Sequence, residues 1–221
     1  MQKPMRTASF PEIDDGVLPP GFPTKWADVS FGQFIEIQRV YWAENPALLL
    51  AILYSSPHVD ADGGCRMDIG AETDRTSLLH MFTSIVRKNG GCLPKEYQEA
   101  VQFLKQQHGF EKSPPLSHIP VEGELLPVPE ALSFMRPELL LAFMRNEADR
   151  ASGIRAVLLL GLEEFNSSRA PQHVLDKIAP TILAYPLHYV YSTAVHLYNQ
   201  LQILKTFYHG RKGNSSSRGS A

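Results

Sequence analysis

Cysteine is scarce in this chain of 221 residues, which carries only Cys65 and Cys92. The pair closes one disulfide at most, in a chain long enough to bury a core of its own. A disulfide-stapled scaffold is therefore excluded, and a reducing compartment is expected. An excess of charge is lacking as well. Lys and Arg number 21 against 23 Asp and Glu, a net charge of −2. The basic footprint of a nucleic-acid binder is missing, and no nucleic-acid partner is expected. The opening Met1-Gln2-Lys3-Pro4-Met5-Arg6 is not followed by an apolar run, so no secretory signal is expected. The apolar content of 43% excludes an intrinsically disordered chain.

Motif chemistry is equally thin. G-x-S-x-G, G-x-G-x-x-G, G-x-x-x-x-G-K and H-E-x-x-H are all missing, and with them the spacings that nucleophile elbows, phosphate cradles and zinc helices require. Asp60-Ala61-Asp62-Gly63-Gly64 begins like a calcium loop, but Ala71 stands at the twelfth position, where a bidentate Glu is needed. Cys65 and Cys92 have no Cys or His at the short spacing that builds half a zinc tetrahedron locally. Two ordinary thiols are expected, rather than a metal site or a Cys-His nucleophile assembled with His58, His80 or His108. His188 and His196 with Glu163-Glu164 lack the Glu-x-x-His arrangement of di-metal bundles. No catalytic residue, metal ligand or cofactor is assigned, and the expected mode of action is binding rather than catalysis.

What is present is helical grammar. Five prolines in the first 25 residues mark an extended arm. Ser30 and Gln33 form a capping box, with Val29 and Phe34 as its staple, so a helix is expected from Phe31 to about Trp42, burying Phe34, Ile35, the stem of Gln38 and Tyr41. Asn45-Pro46 caps a short buried helix over 47–53, ended by Pro57. Residues 55–72 read as a loop. Leu78, Leu79, Phe82, Ile85 and Val86 share one helix face, stopped by Asn89-Gly90-Gly91. Pro94 opens a helix with Tyr97, Val101 and Leu104 inward and Gly109 as its cap. Five prolines in 113–129 forbid a helix there, and Val121 to Leu125 carries the one β signal, a short hairpin.

Helices follow over Pro137 to Asn146, Ser152 to Phe165, Pro171 to Ala179 and Pro186 to Tyr208. Leu187, Val190, Ala194, Leu197, Leu201, Leu204 and Tyr208 alternate spacings of three and four, a heptad seam. An intramolecular bundle contact is its favoured use and a homo-oligomer interface the other. No Asp, Glu, Lys or Arg occurs from Ile178 to Leu204, but two prolines, two histidines, Asn199, Gln200 and Gln202 interrupt that stretch, and no membrane span is expected. The expected fold is all-α with one short β-hairpin, a two-part helical bundle with a long C-terminal helix. It divides into an arm (1–25), an N-terminal helical half (26–112), a Pro-rich linker (113–129), a C-terminal helical half (130–209) and a disordered tail (210–221).

The segment Gly21-Phe22-Pro23-Thr24-Lys25-Trp26-Ala27-Asp28-Val29-Ser30-Phe31-Gly32-Gln33-Phe34-Ile35-Glu36 resembles the opening of small helical phage proteins encoded near tail genes, which begin P-x-x-W-x-(D/E)-(V/L)-(T/S)-x-x-Q-(F/Y). Arg66-Met67-Asp68-Ile69, and Tyr185-Pro186-Leu187 ahead of Leu201-Gln202-Ile203-Leu204, follow in similar order. The resemblance implies a phage or prophage tail assembly chaperone or related morphogenesis factor. Such a protein acts in the host cytoplasm and holds a tail protein, such as the tape-measure protein, soluble until the tail tube forms. A structural virion subunit of the tail or connector is the alternative, and a metal- or thiol-dependent enzyme a further one. The candidate protein-binding residues are Trp26 and Phe31 at the first helix start, with Tyr191, Tyr198 and Tyr208 as exposed members of the last helix. Trp26 is expected to cover the junction of arm and bundle.

Overall fold

The computed structural model describes residues 17–19, 21–40, 44–55, 58–59, 65–66, 71–128, 150–162 and 171–215. Among them the chain is mostly helical. Its α-helices are α1 (Phe31–Arg39), α2 (Pro46–Tyr54), α3 (Ala71–Lys88), α4 (Lys95–Ala100), α5 (Arg150–Gly161), α6 (Pro171–Ala184) and α7 (Leu187–Ser215). This is the fold class that the sequence predicts, including the hairpin.

Helix α1 begins where its cap says it must. Ser30 Oγ accepts from the Gln33 N–H at 3.1 Å while Gln33 Oε1 accepts from the Ser30 N–H at 2.8 Å, satisfying two donors that a helix start otherwise leaves open. The same Gln33 reaches further. Its Nε2 donates to Ile52 O at 3.1 Å and to Leu53 O at 2.7 Å, carbonyls in the last turn of α2 that have no intrahelical donor. One buried amide thus caps two helices. Helix α1 ends at Arg39, short of the expected Trp42, as the backbone turns extended at Val40, and Gln38, expected to bury its stem, is exposed. Tyr41 and Trp42 lie outside the described residues.

Asn45 Oδ1 accepts from the Leu48 N–H, with Pro46 at the first helical position of α2, and α2 packs along α3. Between these helices, β1 (His58–Val59) pairs antiparallel with β2 (Cys65–Arg66) inside the stretch expected as loop. A two-residue ladder is too short for any alternation to announce it. Leu78, Phe82, Ile85 and Val86 of α3 are buried as expected, with Leu79 half-buried. Gly91 N–H to Val86 O and Gly90 N–H to Arg87 O close the helix, with Gly90 at φ 68° in the left-handed region that glycine enters at no steric cost. Helix α4 continues as a 3-10 turn over Val101–Lys105 and ends there, so Gly109 is not its cap. Gly109 instead precedes a second 3-10 turn, Phe110–Lys112.

The Pro-rich segment carries the hairpin β3 (His118–Val121) and β4 (Glu124–Pro127), paired from Val121↔Glu124 to His118↔Pro127. Glu122 and Gly123 both have positive φ, as the two-residue turn that fits the strand twist requires. Alternation places Ile119, Val121 and Leu126 inward and Leu125 outward.

In the C-terminal half, α5 ends at Gly161 rather than near Phe165, which lies outside the described residues together with the helix expected over Pro137 to Asn146. Helix α6 runs through Pro180 instead of stopping at Ala179. The proline forfeits one backbone bond to Asp176 O, a cost of about 3 kcal/mol in a free helix. Burial of Ile178, Thr181, Ile182 and Ala184 offsets it. Helix α7 extends to Ser215, into the tail expected to be disordered from Gly210, because lengthening an established helix needs no new nucleus.

Residues from both sides of 113–129, from Phe22 to Leu201, share one hydrophobic cluster. Helix α1 sits at its centre, touching α2, α5, α6 and α7. Gly32 allows the close approach to α6, since a Cβ there would stand 2.9 Å from Leu183 O. Among the described residues no helix is long and apolar enough to cross a membrane. The uncharged stretch is broken at Tyr185-Pro186 between α6 and α7.

Candidate functional site

The starts of α1 and α7 are tied together by backbone. Phe31 N–H donates to Tyr185 O and Leu187 N–H donates to Val29 O, both at 2.8 Å, around a bridge between Ser30 and Pro186. Each bond satisfies an N–H in a helix first turn that has no intrahelical acceptor. Beside this junction lies an aromatic node. The Trp26 ring meets Phe103 at 5.2 Å, His108 at 5.4 Å and Phe34 at 5.9 Å, all edge-on, and its indole N–H donates to Gln106 O at 3.1 Å. Tyr191 meets Phe34 at 4.9 Å and His108 at 4.7 Å. Phe110 stacks on His108. Edge-to-face pairs at these separations add roughly 0.5–1.5 kcal/mol each beyond area burial.

The electrostatics of the node follow from burial. The Tyr191 phenol is pushed above its ordinary value of 10.0 first by burial and next by the Glu111 carboxylate, against the opposing charge of Arg150. Tyr185, whose hydroxyl donates to Pro120 O and so ties the hairpin to the junction between α6 and α7, is raised by burial and then by Tyr189. His108 Nδ1 lies 3.3 Å from Glu111 Oε2 without the alignment of a hydrogen bond.

Of the five residues nominated for binding, the structure brings Trp26 and Tyr191 onto the same partners, Phe34 and His108. The expected exposure of Tyr191 is corrected, and Trp26 and Phe31 are buried with it. Trp26 is 8%, Tyr191 3% and Phe31 0% exposed, because α7 is wedged between α5 and the α1 region and buries more than its heptad stripe. Tyr198 is half-buried at the margin of the core. Tyr208 belongs to α7, but its side chain lies outside the described residues. Of the arm, Phe22 packs edge-on against Tyr97 at 5.8 Å, and the Tyr97 hydroxyl lies 3.5 Å from Val17 O; residues 1–16, on which the expected cover by Trp26 bears, lie outside the described residues.

Phe103 and Phe110 are node members that the sequence left unmarked, and His108 was weighed there only as a partner for the cysteines. The density of aromatic and imidazole rings over 97–110 was their only signal, since their contacts span about 80 positions of chain, as Trp26 to Gln106 does. Among the described residues, no three His, Cys, Asp or Glu side chains gather closely enough to hold a metal ion. The Asp60-Asp62 loop, the Cys65 side chain and Glu163-Glu164 lie outside the described residues. Cys92 is exposed and free, and His188 and His196 are both exposed on α7. No family model, no curated protein and no solved structure matches this chain.

Proposed function

We propose that this chain is a non-enzymatic binding protein of phage or prophage tail morphogenesis, an assembly chaperone acting in the host cytoplasm on a tail protein such as the tape-measure protein. One observation supports the reading above the others. Two segments of the sequence resemblance, Gly21 to Glu36 and Tyr185-Pro186-Leu187, are far apart in the chain yet hydrogen-bond to each other at the junction of α1 and α7. A motif pair that builds one structural joint has a physical reason to occur together in one fold. The binding face assigned by this reading lies farther along α7. There, Tyr198 is half-buried and Ile203, about 140° round the helix from it, is 56% exposed, and apolar side chains left open on a helix can pass from one helical partner to another.

The test is light scattering after size-exclusion chromatography, with the chain purified alone and after co-expression with a phage tape-measure protein. A small species that shifts into a soluble complex only with that protein is the expected result. A stable ring or tube formed alone would replace the chaperone with a structural virion subunit.

A further inference from the structure

A cavity of about 510 Å³ opens where α1, α2, α5 and α6 meet, within the roughly 300–1,000 Å³ of small-ligand sites. Ile35, Ile52 and Leu183 give it aliphatic walls, and Glu36, Arg155 and Asp176 are its charged members. These charges differ in one respect. Glu36 pairs with Arg39 at 3.7 Å, and Asp176 has an interaction partner of its own. The half-buried Arg155 has neither a hydrogen bond nor an ion pair among the described residues. A guanidinium keeps its charge at all working pH values, and desolvating it beside apolar groups is costly unless an acceptor fills its fork.

We propose that the cavity binds a monoanionic carboxylate attached to an aliphatic body, with Arg155 taking the carboxylate and the Ile35, Ile52 and Leu183 walls taking the body. The planar fork of Arg matches a carboxylate in two parallel hydrogen bonds. The carboxylates of Glu36 and Asp176 set the upper limit on charge, since they repel a doubly charged phosphate more than a single carboxylate. Such a group arrives either as a free aliphatic acid or as an acidic side chain beside an aliphatic one in a peptide. This proposal is independent of the chaperone reading.

Three probes test it on the full chain labelled with ¹⁵N: sodium octanoate, octanol, and the acetylated, amidated tripeptide Leu-Glu-Leu. Octanoate or the tripeptide is expected to shift the amides of Gly32, Gln33 and Arg155 saturably, and octanol to bind at least about tenfold more weakly, the worth of one charge-assisted hydrogen bond. Whichever of the two acids saturates at the lower concentration identifies the source. Arg155→Gln should weaken binding about tenfold at unchanged Tm and far-UV circular dichroism, and Arg155→Lys should recover part of the loss. Octanol binding as tightly as octanoate, no loss in Arg155→Gln, or no saturable shift with either acid would overturn the proposal.

Discussion

The first four turns of α7 and the turn that follows carry one continuous apolar pattern and meet different surroundings. Leu187, Val190, Ala194, Leu197 and Leu201 are fully covered, whereas Leu204 is half-buried and its neighbour Ile203 faces solvent. Length explains the contrast. Helix α5, the neighbour packed along α7, has 12 residues against the 29 of α7, about 18 Å against about 43 Å at 1.5 Å per residue. At that length the shorter helix can flank no more than part of the seam. A heptad pattern therefore reports where a helix is apolar, and the length of the neighbour decides how much of that apolar stripe is covered inside the molecule.

The sharpest way to break this comparison is to cut equal volumes from both parts of the seam. Leu197→Ala, at a fully covered position, is expected to cost about 2–5 kcal/mol, and Leu204→Ala less than about half as much, because its site is already wet and leaves a smaller cavity. Urea denaturation monitored by circular dichroism measures both, and equal losses would mean that the seam is covered evenly along its length.

A smaller effect comes from pH and concerns the covered part alone. The Tyr191 phenol is raised above 10.0 mainly by burial, so the unfolded chain gives up that proton first as the solution becomes alkaline. The stabilisation is complete below about pH 10 and is lost as pH rises from there through the folded-state value. Tyr191→Phe should shrink the fall in Tm between pH 9 and pH 11; an unchanged fall would mean that the ring is hydrated in solution.

How far the chain could be read from its letters depended on the range of each interaction. The start of α1 was legible because Ser30 and Gln33 are three residues apart and act within one turn. The stop of α3 at Asn89-Gly90-Gly91 was legible for the same reason. The seam of α7 was legible from period alone. The second role of Gln33, on the carbonyls of Ile52 and Leu53, had no periodic signature, since it crosses about 20 positions of chain. Tyr191 was misread as exposed because its burial depends on Phe34 and His108, which reach it from other elements. The passage of α6 through Pro180 shows the same principle with opposite sign, a local prohibition outweighed by burial of the residues around it. Of the candidate binding residues, the aromatic identity of the node was visible in the sequence, and the division between rings held in the core and rings at its margin was not.

The smallest expected effect on stability is also the most informative about function. Ile203→Ser and Tyr198→Ser alter two incompletely covered positions of α7; at Ile203, which is mostly exposed, the change should stay within about 0.5 kcal/mol. The decisive measurement is co-expression of the double variant with the tape-measure protein of the proposed function, beside the wild type and Tyr191→Phe, scoring how much of that protein stays soluble in complex. If this face of α7 holds the partner, the double variant folds and loses the complex while Tyr191→Phe retains it. A folded double variant that keeps the partner as soluble as the wild type does would contradict the assignment of the binding face to α7.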